Sequence, residues 1–172
     1  MRASIVEHPN ETRHVIMRPR INYTAAAPGV YDAMDVLDRY LAGSVVDRRL
    51  LYLVQLRASQ LNGCAYCIDM HWKDLRALDE TEQRLYSLDV WRESPYYTDR
   101  ERAALAWTEA VTFVTGHVPD AVHAEVRTHF SETELADLTL AVATINAWNR
   151  LSIAARLTPG TYKPALAAAA AT

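Results

Sequence analysis

Apolar positions along this chain recur at helical spacing and almost nowhere in alternation. Val30, Met34, Leu37 and Leu41 share one helical face, and Gly43 stops that helix. Leu50, Leu53, Val54 and Leu61 mark a second helix over 47–60, which Asn62-Gly63 breaks as a C-cap would. A third helix is predicted from Cys64 to residue 78, and a fourth over 80–93, ending before Pro95. Thr98 with Glu101 reads as a capping box that opens a helix to 115, closed by Gly116. Pro119 starts a short helix to 129. Ser131 with Glu134 is a second capping box, opening the longest helix, which runs to 157 and meets Pro159-Gly160. Runs of β-branched residues in period-two alternation are nearly absent. The expectation is an all-α protein with a bundle of about six to seven helices.

The same pattern divides the chain. Residues 1–27 carry Pro9 and Pro19 and no long period, and are predicted to form an extended N-terminal arm suited to lie on a neighbouring subunit. One helical domain follows over 28–160. Residues 161–172, ending in ALAAAAAT, are predicted to be a frayed tail. The longest helix has Leu135, Leu138, Val142 and Ile145 on one face, with Leu140, Ala147, Leu151 and Ala154 spread elsewhere. A helix apolar nearly all round must be covered on most sides, which points to a homo-oligomer. Asn146 and Asn149 are unusual in so apolar a run and need hydrogen-bond partners.

Composition narrows the function classes. The length of 172 residues suits one domain. With 18 basic and 21 acidic residues the net charge is −3, so nucleic acid is not an expected partner. No apolar run approaches the roughly 18 residues of a membrane span. The first residues lack the apolar segment of a secretory signal, so the expected location is cytoplasmic. In a reducing compartment, two cysteines three positions apart are more often catalytic or metal-binding than structural.

Those cysteines lie in LNGCAYCIDMHWKDL, residues 61–75. On a helix that starts at Cys64, residues four apart are offset by about 40° and residues seven apart by about 20°. Cys64, Cys67 and His71 then face one way. A helix N-terminus favours an anion, so a thiolate there has a lowered pKa, and His71 can relay a proton. Such a unit can perform thiol–disulfide exchange or reduce a peroxide through a sulfenic acid. A c-type haem site would need histidine directly after the second cysteine, where Ile68 stands. Zinc would need further ligands; a second cysteine pair is absent, and His117, His123 and His129 do not share a helical face. A thioredoxin-type fold would need strands. On spacing alone, zinc and plain core packing of the thiols both stay open.

With its flanks, LVQLRASQLNGCAYCIDMHWKDL closely resembles the core motif of the AhpD-like, or carboxymuconolactone decarboxylase-like, proteins. ERAALAWTEAVTFV and ELADLTLAVATINAWNRLSIAARLTP are similar to later helices of that family, so the likeness spans about residues 20–160. It implies an AhpD-like helical bundle, assembled as a trimer or hexamer. It also implies a thiol-dependent peroxidase or disulfide reductase that acts on a hydroperoxide substrate without metal, haem or flavin. A thiol or dithiol reductant protein would be the partner. The decarboxylase branch of the family acts on 4-carboxymuconolactone and generally lacks the cysteine pair. Cys64 and Cys67 together place this chain on the redox side, with a reversible Cys64–Cys67 disulfide and His71 as proton relay. Cys67, beside His71, is the expected peroxide-reacting thiol. Cys64, the more accessible of the two, would resolve the intermediate and exchange with the reductant. Non-catalytic redox sensing and lyase chemistry are the rival readings.

One departure from the family pattern stands out. The AhpD branch has a glutamate twelve positions before the first cysteine, where this chain has Tyr52. Tyrosine is a poor base at neutral pH, though its hydroxyl can donate a hydrogen bond. Glu109, in the charge-poor run ALAWTEAVTFV, is the candidate replacement if burial raises its pKa. Arg57, Gln60 and Tyr66 are further candidates to border the site.

Overall fold

The structure is a computed structural model that describes residues 18–164. Among them are α1 (Tyr23–Ala26), α2 (Gly29–Ala42), α3 (Arg48–Asn62), α4 (Ala65–Ala77), α5 (Glu82–Tyr86), α6 (Asp99–Thr112), α7 (Asp120–His129) and α8 (Glu132–Ala155). Two 3-10 turns, Leu88–Val90 and Val114–Gly116, complete the described elements, and none of these is a strand. The all-α expectation holds, with slightly more helices than six to seven.

The predicted caps form. Thr98 and Glu101 close a reciprocal capping box on α6, and Ser131 and Glu134 do the same on α8. Asp47 caps α3 by accepting the Leu50 N–H. Each such cap stabilises its helix by about 1 kcal/mol. Gly63 ends α3 at φ 68°, a left-handed conformation that glycine adopts without a Cβ penalty.

α3 is the central helix, packed against α4, α6 and α8. Leu53, Val54, Leu56 and Ala58 are fully enclosed, and the polar Gln55, Arg57 and Ser59 are buried beside them. α8 is largely wrapped by the chain itself, through α2, α3, α4, α6 and α7. Much of the cover that its apolar faces require is therefore intramolecular rather than supplied by a neighbouring subunit. Its asparagines find partners inside the molecule. Asn62 Nδ2 donates to Asn146 Oδ1 at 3.0 Å and to Asn149 Oδ1 at 2.8 Å, and Asn149 Nδ2 donates to Ser59 Oγ at 3.1 Å. These bonds tie the end of α3, and so the turn that carries Cys64, to α8.

Three expectations are corrected. The helix over 80–93 breaks into α5 and the Leu88–Val90 turn, where the Ser94 hydroxyl donates to the Val90 carbonyl at 3.2 Å. Such a local hydroxyl–backbone bond offers the chain an alternative to helix. The described part of the arm, 18–27, holds one helical turn in an otherwise irregular chain. Asn22 caps a helical turn, α1, by accepting the Ala25 N–H, and the Arg20 N–H donates to the Ala155 carbonyl at 2.7 Å. The tail is not frayed at 161–164, since the Tyr162 hydroxyl bonds Asp74. Residues 1–17 and 165–172, and the expectations that fall on them, lie outside the described residues. No described helix is long and apolar enough to cross a membrane.

Candidate active site

The left-handed turn at Gly63 brings the chain directly from α3 into α4. The Cys64 N–H still bonds back to the Ser59 carbonyl at 3.0 Å, while Cys64 itself is the N-cap of α4. Its Sγ accepts the Cys67 N–H at 3.3 Å, which places sulfur at the positive end of the helix. Cys64 and Cys67 are joined as a disulfide, with Cα atoms 5.3 Å apart. Both are only 1% exposed, so Cys64 is not the more accessible thiol. Solvent is kept from the helix start by α3 and α8, and the pair packs against Ile145 of the latter. Among the described residues no three His, Cys, Asp or Glu side chains gather to hold a metal ion.

Cys67 forms part of the wall of a pocket of about 530 Å³ between α2, α3, α4 and α8. His71 and Tyr52 line it too, with ring centroids 5.9 Å apart. Tyr31 stacks on Trp148 at 5.5 Å, and Tyr66 and Tyr162 add further rings to the lining. His71, Asp74 and Gln55 are among the polar groups of the lining. Asp74 Oδ2 lies 3.6 Å from His71 Nδ1, beyond hydrogen-bond range but close enough to attract a protonated ring. Both His71 nitrogens and Gln55 Oε1 are buried without a hydrogen-bond partner among the described residues. Unpaired polar atoms facing a pocket are groups that a bound molecule or water can satisfy.

The site carries more acid–base groups than the motif suggests. Asp38 lines the pocket from α2 and accepts the Trp148 indole N–H at 2.9 Å. Burial raises its pKa more than the Trp148 bond lowers it. Tyr52 is pushed above its ordinary value by burial, then by the Asp74 charge, so it stays a hydroxyl donor and not a base. Asp74 was legible in principle, three residues after His71 on the same helical face. Asp38, Trp148 and Tyr162 carried no such signal, since only packing brings them here.

Glu109 is not in this pocket, and its environment is opposite to the one expected. Burial raises its pKa, but hydrogen bonds from Trp91, Arg92 and Arg57 outweigh this and leave it below the ordinary carboxylate value. Arg57 Nε donates to it at 2.9 Å, Trp91 Nε1 at 2.8 Å and Arg92 at 2.6 Å. A carboxylate so held is an anchor for buried Arg57, not a general base. Arg57 and Gln60 are likewise partners in that network, with Arg57 also donating to Gln60 and Asp89. Glu109→Gln should cost about 2 kcal/mol at neutral pH, the usual size for losing charge-assisted hydrogen bonds while Arg57 keeps its ion pair with Asp89, and leave thiol reactivity unchanged. The lowered pKa sets the sign. The stabilisation is present above the unfolded value near 4.5 and is lost as pH falls through the folded one. Urea unfolding of both proteins at neutral and acid pH should show the difference shrink in acid.

Fold and site together define a class: an all-helical bundle with a paired-cysteine helix start, in which the second cysteine and a histidine one turn on line an aromatic pocket. The chain belongs to the carboxymuconolactone decarboxylase family, whose model matches residues 28–110, and is AhpD-like within it. It is 42% identical over 139 residues to the uncharacterized protein YdfG of Bacillus subtilis, covering 80% of this chain and 95% of that one. A structure from Agrobacterium tumefaciens, of unknown function and named as a candidate antioxidant defence protein AhpD, superposes with a TM-score of 0.81. It is 40% identical and is matched over 84% of this chain and all of its own. The debrominase Bmp8, solved as a cysteine-to-alanine variant with 2,3,4-tribromopyrrole, shares the fold at a TM-score of 0.72 and 19% identity. That match covers 80% of this chain and 74% of Bmp8.

Proposed function

We propose that the protein is a thiol-dependent peroxidase, working through a reversible Cys64–Cys67 disulfide with His71 as its proton relay. The observation that carries the reading is the placement of Cys67 and a buried His71, its ring nitrogens without a hydrogen-bond partner among the described residues, in the lining of one partly open pocket. In the reduced protein His71 takes the Cys67 proton, and Asp74 stabilises the imidazolium. The thiolate attacks the terminal, hydrogen-bearing peroxide oxygen, the O–O bond breaks, and the alkoxide leaves as the alcohol with the proton from His71. The Cys67 sulfenic acid is then attacked by the Cys64 thiol, which releases water and forms the disulfide. A dithiol reductant restores both thiols by two exchange steps and is itself oxidised to a disulfide. The Cys64–Cys67 disulfide is the oxidised form that such a cycle would generate.

Asp74 supplies the function that the missing carboxylate at Tyr52 would otherwise perform, from α4 in place of α3. The relay is altered in position and kept in kind. The likeness to a named antioxidant protein supports this reading, and the pocket refines it. A volume of about 530 Å³ lined by five aromatic rings is far larger than hydrogen peroxide needs and falls in the small-molecule range. An organic hydroperoxide with a bulky group is the better fit. Its O–OH would donate to Gln55 and accept from His71.

The test is peroxide consumption by the reduced protein with excess dithiothreitol. Saturable turnover is expected, with cumene hydroperoxide showing a KM about tenfold below that of hydrogen peroxide, since one buried apolar group contributes on the order of 1–3 kcal/mol. Absence of turnover from fully reduced protein would refute the peroxidase reading. A change in assembly state on oxidation under those conditions would favour redox sensing.

A further inference from the structure

α8 does not release the chain into solvent. Arg156 takes a left-handed φ of 55°, and the Leu157 N–H bonds back to the Ser152 carbonyl at 3.0 Å. This C-cap turns the backbone toward α4, and residues 157–162 run across it as a strap. Three residues of α4 fasten the strap. Asp69 Oδ2 accepts the Gly160 N–H at 3.0 Å. Lys73 Nζ, itself 2.8 Å from Asp69, donates to the Gly160 and Tyr162 carbonyls at 3.3 Å each. The Tyr162 hydroxyl donates to Asp74 Oδ1 at 2.7 Å. Gly160 sits at φ 103°, a backbone state that side-chain-bearing residues rarely adopt, so the turn depends on glycine there.

The strap thus reaches the site from a distance of 88 residues in sequence. Leu157 and Tyr162 line the pocket. The two oxygens of Asp74 are divided: Oδ1 receives Tyr162, and Oδ2 faces His71 Nδ1. The groups that hold the strap, Asp69, Lys73 and Asp74, sit on the helix whose N-terminus carries the cysteines.

We propose that Tyr162 is a positioning residue of the dithiol site: its hydroxyl orients the Asp74 carboxylate toward His71, so that docking of the strap on α4 sets the reactivity of Cys67. This rests on reading Cys67 and His71 as the reacting thiol and its relay. Tyr162 does not act on a substrate itself. Burial, and then the bond and charge of Asp74, push its pKa well above the ordinary tyrosine value, so it remains a hydrogen-bond donor across the working range. The other titratable groups lining the pocket with the Asp74–His71 pair are Tyr52 and Arg48 from α3, Tyr31 and Asp38 from α2, and Cys67 and Tyr66 from α4. α8 contributes Ile145, Trp148 and Ser152 to the lining and no titrating group.

The test reads the thiol directly. In the full chain carrying Cys64→Ser, so that one thiol is scored, Cys67 is alkylated with iodoacetamide across a pH series. Tyr162→Phe keeps the pocket wall and removes the bond to Asp74. A carboxylate free to turn from His71 supports the imidazolium less, and therefore the thiolate less. The alkylation midpoint should move up by on the order of half a pH unit to one, with the rate at neutral pH falling about fivefold. Tyr162→Ala should show the same upward move plus a faster plateau at high pH, where the wall is gone and the thiolate is fully formed. Lys73→Ala loosens the strap without touching the hydroxyl and should move the midpoint the same way by less. It also keeps the proposal testable if neither Tyr162 variant folds. A merely structural tyrosine would lower thermal stability and leave the midpoint where it is. That unmoved midpoint, in Tyr162→Phe or, failing that, in Lys73→Ala, overturns the proposal. Alkylation needs no peroxide, so a protein without peroxidase turnover can still pass or fail this test.

Discussion

Cys67→Ser should reduce hydroperoxide turnover at least about a thousandfold, while Cys64→Ser should still complete one turnover. The asymmetry follows from where the sulfurs stand. Cys67 lines the pocket with His71, whereas Cys64, equally buried, caps the helix behind it. Removing the attacking thiolate removes the covalent step itself, a loss of the size seen when a nucleophile is deleted. Removing Cys64 leaves that step and strands the enzyme as a Cys67 sulfenic acid. Mass spectrometry after a sulfenic-acid trap such as dimedone would show a single adduct on Cys67 in the Cys64→Ser protein. The opposite pattern, with Cys67→Ser active and Cys64→Ser inert, would reverse the assignment of the thiols. Serine is close in size to cysteine, so neither change should open a large cavity beside Ile145.

His71→Gln should slow the same reaction by about 10²- to 10⁴-fold, the usual contribution of a positioned acid–base group. Asp74→Asn should cost about tenfold by itself. It should add little to His71→Gln, because both changes break one relay. The measurement is a double-mutant comparison of single-turnover rates, followed as peroxide loss after mixing with pre-reduced protein. Additive losses would mean that Asp74 acts on the reaction by a route other than His71. The Asp74 variant needs a stability control, since its side chain is buried and also holds Tyr162. Denaturant unfolding supplies that control, because a general loss of fold would appear there first.

These expectations place the chemistry on α4, and the helix itself was legible without coordinates. Asn62-Gly63 had to end one helix in a left-handed turn, and the spacing of Cys64, Cys67 and His71 puts them on one face of the next. Local rules of this kind act over one or two turns, which is why the capping boxes at Thr98 and Ser131 also form as their spacing predicts. Asp74 belongs to the same local pattern and is found by extending it three residues. Glu109 behaves otherwise, because a charge-poor run says that a carboxylate is buried, not what it meets. The structure surrounds it with Arg57, Arg92 and Trp91 from other elements, and those donors reverse the direction of its pKa.

Most of the helices, the two capping boxes and the dithiol–histidine spacing thus follow from sequence alone, because each depends on neighbours within a few residues. What that face looks into is a matter of packing. The fold brings Asp38 from α2, Trp148 from α8 and Tyr162 from beyond α8 into one pocket with Cys67. It also covers α8 largely with its own chain and makes residues 157–162 a strap rather than a tail. Each of those outcomes rests on contacts between positions tens of residues apart. Hydrophobic periodicity records that a side is to be buried; which residues bury it is settled when the helices pack.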